Sequence, residues 1–156
     1  MSAWSDFAEN KLIDWFFRAQ AIGITGASAA AGTGPTALYI GLYTANPTDV
    51  AGGTECTGNA YGRVTVTSAL TAWDNTQAAS SSAVSSGTGG TTRNQAVITF
   101  PTPTPSGWGT VTGVGIFDAT SGGSLLIWST LSASKVINAL DVVTFPANSL
   151  TVQIDN

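Results

Sequence analysis

The chain has 156 residues, enough for one domain that buries a hydrophobic core without disulfides or a structural metal. Charged residues make up only 9% of the chain, the formal net charge is −4, and the five basic residues are scattered, which excludes a basic patch for nucleic acid. Histidine is absent and Cys56 is the single cysteine, which excludes histidine-based catalysis and an intrachain disulfide and predicts neither a cofactor nor a metal centre.

The first element in the chain is a predicted amphipathic helix that begins at Ser5 or Asp6 and ends near Gln20. The spacing from Asp6 to Glu9 resembles a capping box. Apolar side chains fall on two stripes of this helix at helical spacing. The first stripe comprises Trp4, Ala8, Leu12, Trp15, Phe16 and Ala19. The second stripe, roughly opposite, comprises Ile13 and Phe17.

The second stripe predicts that the helix docks onto a partner. A surface helix that covers only its own domain usually needs one apolar stripe, so a second stripe indicates contact with a sister subunit or another protein of an assembly. A helix buried in its own core is the alternative. The predicted interface residues are Trp4, Leu12, Ile13, Trp15, Phe16 and Phe17.

Small and glycine-rich residues at positions 21–36 predict a flexible connector between the N-terminal helix, residues 1–20, and a β-domain over residues 37–156. Hydrophobic alternation beginning at Ala37 gives the clearest strand, and a second strand follows at Arg63–Ser68. Residues 74–92 contain almost no side chains that pack, which predicts an exposed Ser/Gly-rich loop.

Short strands resume after this loop. They are predicted at Gln95–Phe100, Thr110–Asp118, Ser124–Thr130, Val136–Ile137, Val142–Phe145 and Ser149–Asp155. A hairpin turn is predicted at residues 121–123. About eight short strands joined by turns predict a mainly β fold, with a jelly-roll-like antiparallel β-sandwich preferred over a barrel.

The acidic residues form no catalytic or metal-binding pattern. Beyond the helix, no two of them lie within four residues of each other, and most fall at predicted turns or strand ends, where Asp usually accepts backbone hydrogen bonds. The sequence therefore predicts a protein that is not an enzyme. A carboxylate pair that assembles in space to cleave polysaccharide, or calcium bound by Asp49, Glu55 or Asp118, is left open.

Two aromatic residues suggest a second activity. Trp73 and Trp108 border predicted loops and are the candidates for stacking on sugar rings, with a core position as the alternative.

Cys56 is predicted to be a small buried or loop thiol, because no basic residue near it in sequence would activate it. No apolar stretch approaches the roughly 20 residues of a membrane-spanning helix, so a soluble protein without membrane insertion is expected.

Several segments together resemble small virion proteins of tailed bacteriophages, of the tail-fibre-like kind. They are the helix SDFAENKLIDWFFR, the strand and turn LYIGLYTANPTDVAGGTE leading to NAYGRVTV, and the stretch VTGVGIFDATSGGSLLIWSTL. The resemblance implies a structural component of a phage particle, assembled in the host cytoplasm. Such a protein belongs either to the tail-fibre or adsorption apparatus or to the capsid, as a decoration or cement protein. Its partners are other virion structural proteins and copies of itself, with host surface glycan for a receptor-recognition module.

Overall fold

A computed structural model describes residues 4–24, 34–78 and 81–154. Within these ranges the chain forms one α-helix and nine β-strands. In chain order they are α1 (Asp6–Arg18), β1 (Ala37–Ala45), β2 (Thr54–Glu55), β3 (Val64–Thr67), β4 (Thr91–Arg93), β5 (Ile98–Thr99), β6 (Gly109–Phe117), β7 (Leu125–Ile137), β8 (Thr144–Phe145) and β9 (Thr151–Gln153). The predicted flexible connector falls largely on residues 25–33, which lie outside the described ranges.

The described residues divide into two compact units, each assembled from segments that are distant in sequence. The first, called the helical unit, comprises residues 4–24, 34–37, 67–78, 81–98 and 145–154. The second, called the sheet unit, comprises residues 38–66 and 99–144. The N-terminal helix therefore shares its unit with the Ser/Gly-rich region and with β9.

The helix α1 begins at a capped end and stops at a left-handed residue. Ser5 is the N-cap, because its backbone is extended and its hydroxyl accepts a hydrogen bond from the Ala8 N–H at 3.4 Å. The side-chain cap is thus Ser5, and not Asp6 as the predicted capping box requires. Ala19 adopts a φ of 53°, which ends the regular helix at Arg18.

The core of the helical unit forms where α1 packs against Trp73. Ile13 and Phe17, one turn apart on the helix, are buried, and the rings of Phe17 and Trp73 meet edge to face with their centroids 4.8 Å apart. In the same unit β4 and β9 pair antiparallel, with Thr92 opposite Val152. This pairing places a short strand at the end of the predicted exposed loop.

A five-stranded sheet forms the sheet unit, with the order β2-β1-β6-β7 and with β3 also paired to β1. The two central strands β1 and β6 run antiparallel from Tyr39 opposite Phe117 to Tyr43 opposite Gly113. Residues 40–43 of β1 are buried without interruption, so both faces of this strand are covered. The hydrophobic alternation that predicts β1 is therefore matched by alternating burial only in the first residues of the strand.

The hairpin between β6 and β7 lies where the sequence predicts it. The Asp118 N–H donates to the Ser124 carbonyl at 3.2 Å, and the Asp118 carboxylate accepts the Ser124 N–H at 2.6 Å. Gly123 has a φ of 68°, and a Cβ at this position would collide with the Asp118 carboxylate. The turn therefore needs glycine at this position.

The strand β7 is the outermost strand of this sheet in the order given by the described residues, and its pairing with β6 is interrupted. Val111 lies opposite Lys135, whereas Gly113 lies opposite Thr130. Residues 131–134 of β7 therefore lie opposite a single residue of β6 and form a large bulge, called here the excursion.

Arg63, just before β3, clamps the hairpin turn. Its Nε and Nη2 atoms bind the Glu55 carboxylate at 2.8 and 2.7 Å. Its Nη1 atom donates to the carbonyls of Ala119 and Gly122, each at 2.8 Å. The guanidinium carbon lies 3.3 Å from the centroid of the Phe117 ring, a cation–π contact. One side chain thereby joins β2, the end of β6 and the turn after it.

The mainly β fold class is confirmed, with antiparallel sheets and one helix near the N-terminus among the described residues. Strand order is defined here within each sheet, so the jelly-roll-like order stays a prediction. The predicted strands at Ser124–Thr130 and Val136–Ile137 are both parts of β7, and the strand predicted at Gln95–Phe100 is reduced to β5. The strand β2 lies where no strand is predicted, and β4 begins within the predicted loop at residues 74–92, because pairing with other strands outweighs weak local preference.

We expect Arg63→Ala to lower the free energy of unfolding by about 3 kcal/mol, because it removes a bidentate ion pair and leaves the part-buried Glu55 without its cation. Arg63→Lys should recover only a small part of this loss, since an ammonium group cannot reproduce the fork of the guanidinium. Urea denaturation followed by circular dichroism measures both. Lys135→Ala, at an exposed strand position, is the control and should change stability by less than about 0.5 kcal/mol. Equal losses of unfolding free energy in Arg63→Ala and Lys135→Ala would contradict the stabilising role of Arg63 at the hairpin turn.

Candidate docking surface on the N-terminal helix

Arg18 lies on the inner face of α1, is fully buried, and ties the helix to residues 81–88, called here the Ser-rich loop. Its Nη1 atom bonds to the carboxylate of Asp14 at 2.6 Å, one helical turn earlier. Its Nη2 atom donates to the carbonyls of Ser81 and Ala83 at 3.0 and 2.6 Å. A buried guanidinium is tolerated only when its charge is paired and its donors are used, and this arrangement meets both conditions.

Further hydrogen bonds from α1 fix the rest of the Ser-rich loop. Asp14 accepts hydrogen bonds from the backbone N–H and the hydroxyl of Ser85 at 2.8 and 2.6 Å. The Asn10 amide donates to the Gly87 carbonyl at 3.0 Å and accepts a hydrogen bond from the Thr76 hydroxyl. Helix side chains therefore hold in one conformation a loop whose ordering is entropically unfavourable.

The beginning of α1 exposes two aromatic side chains, Trp4 just before the helix and Phe7 in its first turn. Trp4 and Phe7 are 56% and 58% exposed. The Lys11 ammonium lies 5.6 Å from the centroid of the Phe7 ring, within cation–π range. A groove of about 420 Å³ runs beside Phe7, between α1 and residues 85–88 of the Ser-rich loop. Its charged lining residues are Asp6 and Lys11, whose charges are opposite.

The structure separates the predicted interface residues by their exposure. Trp4 is exposed, whereas Ile13 and Phe17 are buried in the helical unit. The half-buried residues are Leu12, Trp15 and Phe16. The expectation that the second stripe faces a partner is wrong for this structure, because residues of the same unit such as Trp73 cover it. An interface role for the other four residues stays a prediction.

Sequence reasoning missed two features of this helix. Phe7 belongs to neither predicted stripe, yet it is as exposed as Trp4. Asp14 and Arg18 are four residues apart, a spacing that places opposite charges side by side on a helix and is readable in the sequence. Their burial was not readable, because it depends on the Ser-rich loop more than 60 residues away.

Both tryptophans predicted to bind glycan are buried, Trp73 at 0% and Trp108 at 6% exposure. Trp73 packs on Phe17. Trp108 packs edge to face on Tyr61, with centroids 5.2 Å apart, and its Nε1–H donates to the Asn59 carbonyl at 3.1 Å. Both rings therefore take the core position that the sequence left as the alternative, and neither offers a face to a sugar ring. Glycan binding through another surface stays a prediction.

The three acids considered as calcium ligands have separate surroundings. Glu55 binds Arg63, Asp118 caps the hairpin by accepting the Ser124 N–H, and Asp49 is exposed. In the parts of the chain that the structure describes, no group of three or more potential ligand side chains is placed to hold a metal ion.

Cys56 is buried beside Glu55 in the sheet unit, and its predicted character as a small buried or loop thiol is confirmed. Burial raises the pKa of the Cys56 thiol to about 11, and the Glu55 carboxylate adds to the shift. The thiol is therefore protonated at neutral pH and is a poor nucleophile. Burial also raises the pKa of the Tyr61 phenol, which donates to Glu55 at 2.9 Å.

Comparison with known proteins places these features in a family. Residues 3–153 match the sequence profile of the family described as Podophage GP4 fiber I protein gp80. The chain belongs to this family. The predicted resemblance to phage virion structural proteins is confirmed, and this podophage fibre protein is a structural component of the virion. No individually curated protein matches it. No helix within the described ranges has the length and apolar character needed to span a membrane.

Replacing Arg18 by Met is expected to destabilise the helical unit by about 3–5 kcal/mol, because buried Asp14 loses its counter-charge and two loop carbonyls lose their donor. Hydrogen exchange followed by mass spectrometry should show loss of protection in residues 81–88. The double variant Arg18→Met/Asp14→Leu should regain much of the stability, since an apolar pair can replace a buried ion pair. If a folded Arg18→Met protein keeps wild-type exchange rates in residues 81–88, the proposed role of Arg18 in ordering the Ser-rich loop is contradicted.

Stability should fall as the pH rises from about 9 to about 11. The unfolded Cys56 thiol loses its proton near its ordinary pKa of 9.0, whereas the folded thiol keeps it up to a pKa of about 11. Unfolding therefore releases a proton in this window, and rising pH favours the unfolded state. Urea denaturation at pH 8 and pH 10.5 measures the fall. Cys56→Ser should show a smaller fall than the wild type, and identical falls would exclude the thiol as its source.

Proposed function

We propose that this chain is a structural subunit of a podophage fibre that docks onto another virion protein through Trp4 and Phe7 at the beginning of α1. The observation that carries the proposal is the exposure of Trp4 and Phe7 at the beginning of a helix whose later turns are packed in its own unit. Trp4 and Phe7 lie three residues apart at one end of the helix, contiguous exposed apolar patches mark interaction surfaces, and tryptophan is among the residues that dominate binding energy. A position in the fibre is favoured over capsid decoration because the family is described as a fibre protein.

The proposed docking surface is rigid before it binds. Ile13, Phe17 and the ion pair between Arg18 and Asp14 fix α1 in its unit, and the same ion pair fixes the Ser-rich loop beside it. A surface that is already ordered loses less conformational entropy on association than a free helix does. This rigidity supports repeated docking in the same geometry.

The lining of the groove beside Phe7 favours an uncharged partner segment. Asp6 and Lys11 contribute opposite charges, and residues 85–88 contribute hydroxyl groups and backbone. An apolar side chain of the partner would cover the Phe7 ring, while polar groups at the rim would pair with the Ser-rich loop. Copies of this chain are proposed to repeat the contact in a symmetric assembly.

Trp4→Ala/Phe7→Ala should reduce incorporation of the chain into particles at least about tenfold, because truncating buried aromatic anchors commonly costs about 2 kcal/mol each. The measurement is the ratio of this chain to the other virion proteins, by quantitative mass spectrometry of phage particles produced with the variant.

Val97→Ala is the matched control, because Val97 is also 58% exposed and lies in the same unit. Its incorporation should equal that of the wild type. The isolated double variant should keep its Tm, since exposed side chains contribute little to stability. Wild-type incorporation of the double variant would overturn docking through the beginning of α1.

A further inference from the structure

The turn between β7 and β8 presents two apolar side chains to solvent. Leu140 is 75% exposed and Val142 is 80% exposed. Both belong to the sheet unit, whereas the surface proposed above belongs to the helical unit. Two strongly exposed aliphatic side chains separated by one residue form a small apolar tip.

Leu140 occupies a backbone position that disfavours it. The Asp141 N–H donates to the Asn138 carbonyl at 3.3 Å, which closes a four-residue turn with Leu140 as its third residue. Leu140 has a φ of 68°. A positive φ at this position is normally taken by glycine or asparagine, and for a bulky side chain it is strained.

The surrounding structure holds the turn in this strained form. The Leu140 N–H donates to the Pro103 carbonyl at 2.9 Å. The Asp141 carboxylate accepts the Asn138 N–H at 2.8 Å. At the base of the turn, the Trp108 N–H donates to the Ile137 carbonyl at 3.1 Å. Backbone strain that several contacts maintain at an exposed apolar residue indicates that the side chain has a function other than stabilising the fold.

We propose that this turn is a second docking surface, which inserts Leu140 and Val142 into an apolar pocket of another virion protein. The charged residue of the turn, Asp141, is half-buried and its carboxylate accepts the Asn138 N–H, so the exposed tip consists of the two aliphatic side chains and fits an apolar pocket. A two-fold contact of this tip against the same tip of a second copy is excluded, because two side chains on each side fall far short of the roughly 20–30 residues that each partner contributes to a standard interface. A concave partner also contacts the flanks of the turn.

The decisive variant is Leu140→Asn, which removes the apolar side chain and suits the positive φ. The isolated full-length variant should have a Tm a few degrees above the wild type, while its incorporation into phage particles should fall at least tenfold. Val142→Ser removes apolar surface without relieving strain, so it should lower incorporation and leave Tm unchanged.

Ala60→Gly is the matched control. Ala60 is exposed, lies in the same unit and has a φ of 62°. Its replacement should raise Tm without changing incorporation, which separates relief of strain from loss of contact.

Wild-type incorporation of both Leu140→Asn and Val142→Ser would overturn the second docking surface. A lower Tm for Leu140→Asn would overturn the strain argument. If sedimentation shows that the wild-type chain self-associates and that Leu140→Asn abolishes this, the partner is a second copy and the proposed one is wrong. If Leu140→Asn is incorporated normally while Trp4→Ala/Phe7→Ala is not, this inference alone is overturned. If Trp4→Ala/Phe7→Ala is incorporated normally while Leu140→Asn is not, only docking through α1 is overturned.

Discussion

The buried guanidinium of Arg18 is the constraint on which the helical unit depends. A charge in a protein interior is strongly unfavourable unless it is neutralised and its donors are paired. Its partners are the Asp14 carboxylate on the same helix, the Trp73 carbonyl, and groups of the Ser-rich loop that include the carbonyls of Ser81 and Ala83. Helix and loop therefore require each other. This mutual dependence explains how a segment of serine, alanine and glycine, with almost nothing to bury, becomes part of a compact unit.

The sheet unit uses the same chemistry at another place. Arg63 neutralises Glu55 and donates to two carbonyls of the hairpin turn, as Arg18 neutralises Asp14 and donates to two carbonyls of its loop. Hydrogen bonds to backbone carbonyls do not require particular side chains in the segment that is held. A chain with only five basic residues thus uses two of them to order connections that its apolar side chains cannot order. What remains on the surface is largely uncharged, and this is the kind of surface on which apolar contacts decide binding.

Local pattern was sufficient for the elements whose stability is local or strongly periodic. The spacing of apolar residues predicts α1, and two-residue alternation with glycine turns predicts β1 and the hairpin between β6 and β7. Features that depend on distant contacts were not readable. Trp73 borders a predicted loop but is buried by Phe17, and β4 exists because β9 pairs with it. The positive φ of Leu140 was hidden for a different reason, because leucine gives no sign in the sequence that it occupies a turn position suited to glycine.

The excursion at residues 131–134 has a consequence for how the protein behaves at high concentration. A 13-residue strand at the edge of a sheet offers a long row of N–H and C=O groups, on which further molecules can add strands without limit. In β7 the excursion divides this row into two shorter segments, and Lys135 places a positive charge beside the break. A bulge in an edge strand and a lysine on it both oppose pairing with a strand of another molecule. The interruption therefore works against strand addition along the whole length of this edge, so that side-chain contacts can govern how the chain associates.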